Sequence, residues 1–257
     1  MAYKKRFGGI GRLYGTAGLE RLRQAHVCVV GLGGVGSWVV EALARSGVGA
    51  LTLVDLDDVC ISNANRQLHA VQAELGKPKA EAMARRVHAI NPDCALRPVQ
   101  SFFVKSTAEE ILSPAYDGVV DAIDSTQDKC LLISLCRQRG LPLVTTGGAG
   151  GRRDPTALQN ADLAFTSHDR LLQDVRRILR RDYHFPHGHV PFGVDCVFSR
   201  ESPVYPQADG TVCEIRGDDM DLRLDCNSGY GTASFVTGAF GFAAAARMVQ
   251  KLTAPRR

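Results

Sequence analysis

Short apolar runs alternate with longer amphipathic stretches along most of this chain. His26-Val27-Cys28-Val29-Val30 and Ala50-Leu51-Thr52-Leu53-Val54 are compact apolar blocks, and residues 96–103, 118–123 and 141–145 read as further strands. Between them the period changes. Over 74–90, Met83, Val87 and Ile90 share one helical face while Arg85 and Arg86 turn outward, and Asn91-Pro92 stops the helix. Residues 129–139 read as another helix. This β-α-β alternation predicts a parallel sheet with right-handed crossovers. Past Gly151 the pattern shifts to short, turn-bounded pieces at 194–198 and 212–215, which predict an antiparallel extension of the same sheet.

The first apolar block runs straight into Gly31-Leu32-Gly33-Gly34-Val35-Gly36-Ser37. Gly31, Gly33 and Gly36 fit G-x-G-x-x-G, a turn that lets a phosphate approach backbone amides at a helix N-terminus. Asp55 closes the next strand, roughly two dozen residues on, where a carboxylate meets the ribose hydroxyls of a nucleotide. The expected fold class is α/β: a Rossmann-like nucleotide-binding sheet, mostly parallel, extended by antiparallel strands in the C-terminal part.

A nicotinamide enzyme would be the default reading, but the residues after Asp55 argue against it. The chain continues through Asp57-Asp58-Val59, Ser62-Asn63-Ala64-Asn65-Arg66-Gln67 and Gly76-Lys77-Pro78-Lys79-Ala80. Cations such as Arg66 and Lys79 suit a nucleoside triphosphate, whose charge must be neutralised while an anion attacks. Asp124, at the carboxyl end of strand 118–123, is well placed to hold Mg²⁺. The alternative is that Asp124 caps the helix that follows, a job Ser125 could do equally well.

The 257 residues suit one domain, and a net charge of +4 permits a polyanionic partner without demanding one. Eight cysteines include no C-x-x-C pair. With no apolar signal segment at the N-terminus, a reducing cytoplasm is expected. The apolar stretch 235–249 falls short of the ~20 residues needed to span a bilayer and reads as a buried C-terminal helix. Contact with a membrane surface stays open. Residues 168–189 are the most basic: Leu171, Leu172, Val175, Ile178 and Leu179 form a helical apolar stripe, and Arg170, Arg176, Arg177, Arg180 and Arg181 fill the rest. That face is either simply solvated or a contact for an RNA backbone. Residues 145–151 are either a flexible strand end or a pocket wall whose carbonyls hold an alkali-metal ion.

Together, Gly31 to Ser37, Val54-Asp55-Leu56-Asp57, Ser62 to Gln67, Gly76 to Ala80 and Asp121-Ala122-Ile123-Asp124-Ser125 resemble the adenylyltransferases related to ubiquitin-activating enzyme. Within them, Phe7-Gly8-Gly9-Ile10-Gly11-Arg12-Leu13-Tyr14-Gly15, the glycine-rich run after Leu143, Gly193-Val194-Asp195-Cys196-Val197-Phe198-Ser199 and Asp225-Cys226-Asn227-Ser228-Gly229-Tyr230-Gly231 look like the branch that dehydrates threonylcarbamoyladenosine in tRNA. The resemblance implies one domain over 1–257, with an N-terminal arm (1–25), a nucleotide-binding half (26–151) and an extension (152–257) carrying a basic loop at 168–189.

It also implies roles. Asp55 would bind the ATP ribose, and the turn Gly31, Gly33, Gly34 and Gly36 would face the phosphates. Asn63, Arg66 and Lys79 match phosphate-contacting positions, with Asp57, Gln67 and Ser125 beside them in the same motifs. Asp124 matches the acid associated with Mg²⁺. Arg12 matches an arginine that reaches into the ATP site of the other subunit, so a homodimer is implied. The implied reaction adenylates a carboxylate on tRNA bearing threonylcarbamoyladenosine and then cyclises it. The alternative is adenylation of the C-terminus of a ubiquitin-like sulfur-carrier protein. The missing C-x-x-C pairs make a structural zinc unexpected, and the absence of cysteine from 168–189 favours the tRNA branch. Cys226, between Asp225 and a glycine-rich turn, remains the candidate thiol. A sulfur-transfer partner protein is also admitted.

Overall fold

The computed structural model describes residues 2–207, 209–214 and 230–255. Seven strands form one sheet in the order β3-β2-β1-β4-β5-β7-β6. They are β1 (His26–Val30), β2 (Ala50–Val54), β3 (Ala95–Val99), β4 (Gly118–Asp121), β5 (Leu143–Thr146), β6 (Leu158–Asp162) and β7 (Asp195–Ser199). Neighbouring strands pair in parallel except β6, which lies antiparallel on β7. After β3 the chain crosses back to the other side of β1 and enters β4. The crevice outside β1 and β4 is therefore the topological switch point, the place where open α/β sheets bind ligands.

Register sets what emerges there. Val30 pairs with both Val54 and Asp121, so Gly31, Asp55 and Ala122 leave the sheet at one level. Residues alternate across β1: Val27 and Val29 join one core cluster, Cys28 and Val30 the other. The first cluster packs against α1 (Ala2–Gln24), α2 (Gly36–Arg45), α3 (Lys79–Ile90) and α7 (Ser234–Thr253), through Leu22, Leu43, Met83 and Phe240. The second is covered by α4 (Ala108–Ile111), α5 (Thr126–Gln138) and α6 (Arg170–Asp182), through Ile111, Ile133 and Leu179. Each such fully buried side chain contributes about 1.5–3 kcal/mol. Gly241 lets α7 approach α2 closely, since a Cβ there would lie 2.6 Å from the Trp38 Cβ.

The expected core of the fold is present, with differences in the flanks. The N-terminal residues 2–24 are helical, broken at Gly15 (φ 76°), and bury Phe7, Leu19 and Leu22. The expected basic loop contains α6. Its apolar stripe buries Leu172, Val175, Ile178 and Leu179, and Asp169 caps it by accepting from the Leu172 amide. The antiparallel addition is β6, which the hydrophobic pattern missed. Residues 212–213 are not in the main sheet but form β9 (Val212–Cys213), paired with β8 (Tyr205–Pro206) in a separate ribbon. Among the described residues, no helix is long and apolar enough to cross a membrane.

Candidate nucleotide-binding site

A cavity of about 980 Å³ opens at the switch point. One wall is the glycine turn. At Gly31 (φ 88°) a Cβ would stand 2.7 Å from the carbonyl oxygen of Ala122, and at Gly36 it would overlap the carbonyl of Gly31. These two glycines therefore permit backbone to approach backbone. Gly33 differs: its nearest neighbour is the Gln67 Nε2 at 4.0 Å, and with Gly34 it faces the cavity. Gly36 stands behind that wall as the first residue of α2, whose N-terminus points its amides toward anions.

Asp55 follows β2 and reaches back to the turn. Its Oδ2 accepts from the Leu32 amide at 2.7 Å, and its Oδ1 from the Asp57 amide at 2.9 Å. Burial raises its pKa, offset by the charge of Lys79 and by those two amides. Lys79 is buried at the start of α3, its Nζ 2.8 Å from the Asp57 Oδ2. The loop between them is braced on the helices. Trp38 and Thr237 both donate to the main-chain oxygen of Arg66, at 3.0 and 3.2 Å. The Arg66 guanidinium donates to the Ser62 carbonyl and the Asn65 Oδ1, each at 2.9 Å. Asn63 is buried, its Oδ1 accepting from the Cys60 amide at 3.0 Å. Gln67 is buried beside Gly33, and its Oε1 has no partner among the described residues.

The opposite wall begins at the end of β4. Asp124 and Ser125 are exposed on it, and Ser125 caps α5, bonding the Asp128 carboxylate at 2.7 Å. Beneath them lies a pair that the sequence reading missed: Lys129 and Asp121, both fully buried, 2.9 Å apart. The third wall is the glycine run 147–150, clamped from behind by a second unforeseen pair. Asp169 accepts from the Gly148 amide at 2.9 Å and from Arg152 at 3.3 Å. Arg152 in turn donates to the carbonyls of Gly148 at 2.8 Å and His168 at 3.0 Å. The run is thus a fixed pocket wall rather than a flexible strand end.

Other expected residues lie elsewhere. Arg12 is exposed on α1 and does not line this cavity. Of the α6 arginines, only Arg170 lines it. Arg176 is half-buried and donates to the Thr166 hydroxyl, and Arg180 donates to the Pro186 carbonyl at 3.1 Å beneath the Phe192 ring. Arg177 and Arg181 are exposed and paired with Asp174 and Asp182 of their own helix. Cys226 lies outside the described residues.

A mostly parallel sheet with a glycine turn, a ribose-level acid and cations around a switch-point cavity defines a Rossmann-like nucleotide-binding domain. The chain belongs to the ThiF family, matched over residues 9–256, and within it to the tRNA threonylcarbamoyladenosine dehydratases. It is 49% identical over 255 residues to the dehydratase of that name from Escherichia coli, covering 98% of this chain and 95% of that protein. The solved structure of the E. coli dehydratase, TcdA, in complex with ATP matches with a TM-score of 0.87 and 45% identity, over 98% of this chain and 95% of the other. The sulfur carrier protein adenylyltransferase of Thermus thermophilus is 41% identical over 133 residues, which span 51% of this chain and 48% of that protein. The sulfur-carrier alternative is thus the more distant one.

Proposed function

We propose that this protein uses ATP to dehydrate threonylcarbamoyladenosine, next to the anticodon of tRNA, to its cyclic form. One arrangement supports the reading. Asp55, Arg66, Lys79 and Asp124 all open onto one cavity, in a chain similar over nearly its full length to dehydratases of this tRNA nucleoside. The threonyl carboxylate attacks the α-phosphorus of ATP, and pyrophosphate leaves with the electrons of the broken bond. Arg66 and Lys79 offset phosphate charge, and Asp55 accepts from the ribose hydroxyls. The neighbouring carbamoyl group then attacks the activated carbonyl and expels AMP, so the net change is loss of water. Ring closure within one side chain needs no enzyme nucleophile, since oriented intramolecular reactions reach effective molarities on the order of 10⁵ M or more.

The donor set suits magnesium. Asp124 and Asp128 present hard carboxylate oxygens on the cavity wall, and such an ion completes its shell with water and phosphate. These residues would hold it, and when bound it supplies charge neutralisation at the phosphates. The Gly148 carbonyl is taken by Arg152, so an alkali-metal ion would use the other carbonyls of 147–150. A homodimer in the cytoplasm completes the proposal, with Arg12 entering the cavity of the second copy and Arg170, Arg177 and Arg181 facing tRNA.

The test is to incubate the protein with ATP, Mg²⁺ and tRNA bearing threonylcarbamoyladenosine, then weigh the digested nucleosides. Loss of one water with wild type, absent with Asp124→Ala, is expected. No mass change despite ATP binding overturns the reading and directs attention to ubiquitin-like carrier proteins.

A further inference from the structure

The fully buried Lys129–Asp121 pair sits beneath the cavity rather than in it, and its polar atoms are tied to the strand ends that carry two of the cavity's walls. Lys129 Nζ lies 2.9 Å from Asp121 Oδ2 and donates to the Thr145 hydroxyl at 3.2 Å. That hydroxyl donates to the same Oδ2 at 2.7 Å. Asp121 Oδ1 accepts from the Ile123 amide at 3.0 Å, and the Asp121 main-chain oxygen accepts from the Thr146 hydroxyl at 3.2 Å. Ile123 directly precedes Asp124, and Thr146 directly precedes the glycine run. Ala122, between the anchored residues, donates its amide to the Val30 carbonyl at 2.9 Å, and its own carbonyl is the group that a Cβ on Gly31 would meet at 2.7 Å. Three walls therefore meet at one buried knot.

Stability alone does not account for such a pair. Taking two charges out of water costs about as much as their attraction returns, and an apolar pair of equal volume serves folding as well. What apolar side chains cannot do is fix the Ile123 amide and the Thr145 hydroxyl at once. We propose that Lys129 is a positioning residue for the adenylation step: through Asp121 and Thr145 it holds the turn carrying Asp124 in register with the glycine turn and with the 147–150 wall. The proposal rests on the reaction assigned above. Lys129 touches no substrate; it acts through the backbone it orders.

The experiment compares wild type with three variants: Thr145→Val, which removes one tie and leaves no charge unpaired; Lys129→Arg; and the charge-free double variant Asp121→Asn/Lys129→Met. Melting temperature, ATP affinity by calorimetry, and kcat and KM for cyclisation of the tRNA nucleoside are measured for each. The double variant is expected to fold and to bind ATP within threefold of wild type, with kcat at least tenfold lower. Thr145→Val should lose three- to tenfold in kcat with KM for ATP unchanged, and Lys129→Arg, keeping the charge, should recover more kcat than the double variant. Wild-type kcat in both the double variant and Thr145→Val overturns the proposal. If the double variant does not fold, Thr145→Val decides alone: full kcat overturns it. Absence of cyclised product from wild type overturns the assigned reaction instead.

Discussion

Lys79 is held on Asp57, its Nζ 2.8 Å from the carboxylate while its own amide donates to the Asp57 main-chain oxygen at 2.9 Å. The lysine is buried and the aspartate is half exposed, so a phosphate entering the cavity competes for an ammonium that is already in place. Removing a preorganised donor from developing charge typically costs about 10²–10³ in rate. Lys79→Met is therefore expected to lower kcat/KM for ATP about a hundredfold. Lys79→Arg should not restore it, because a planar fork replaces a compact ammonium in a buried slot. Asp57→Asn should change kcat/KM less than tenfold, since the main-chain bond keeps α3 in place. Steady-state kinetics with varied ATP checks all three.

The glycines of the nucleotide-binding motifs divide by what their neighbours allow. A Cβ on Gly36 would overlap the Gly31 carbonyl, whereas at Gly76 (φ 75°) it meets nothing within 4 Å. Gly36→Ala is expected to abolish ATP binding in calorimetry and to lower the melting temperature. Gly76→Ala should cost about 1 kcal/mol, the strain of a left-handed backbone alone, and leave ATP affinity unchanged.

His69 makes stability depend on pH. It is buried, neither ring nitrogen has a partner among the described residues, and burial with the nearby Lys79 charge lowers its pKa to about 4. The unfolded chain takes up a proton near pH 6.5 that the folded chain refuses until about pH 4. The unfolded state thus binds more protons across that window, and stability falls as pH falls through it. The full loss is about 3 kcal/mol. Urea unfolding at pH 7 and pH 4.5 should show most of it, and His69→Leu should flatten the difference.

Strand register and glycine chemistry are local, and that is why the sheet and the nucleotide half were legible. β1, the G-x-G-x-x-G turn and Asp55 stand in one short run, and Val30 pairing with Val54 and Asp121 delivers their ends to one crevice. The two buried ion pairs were not legible, for a physical reason. Lys129 and Asp121 meet only because α5 folds back over β4, and Arg152 meets Asp169 only because the chain returns through β6 to the head of α6. In sequence each is an ordinary charge in a mixed neighbourhood. The helix within the basic stretch was legible because its signal is local: the stripe Leu172, Val175, Ile178 and Leu179 recurs at helical spacing and is the buried face of α6.

The α6 arginines separate into structural and exposed members, and one measurement distinguishes them. Arg176 is half-buried on Thr166 and Arg180 is bound to the Pro186 carbonyl, so their charges are committed to the fold. Arg177 and Arg181 are exposed, and their ion pairs among the described residues are with acids of their own helix. Exposed pairs of that kind are worth little and are easily exchanged for a phosphate. Each cation that does contact phosphate adds about one to the salt slope of RNA binding. Arg177→Ala and Arg181→Ala should therefore each weaken tRNA binding and reduce the slope of log K against log salt by up to about one, with melting temperature unchanged. Arg176→Ala should do the reverse, lowering the melting temperature by several degrees with little change in slope. Filter binding across a salt series, with melts of the same variants, reads both. An unchanged slope in Arg177→Ala and Arg181→Ala alike would remove this face from the tRNA contact and leave Arg170, at the cavity rim, as the arginine of α6 still available to it.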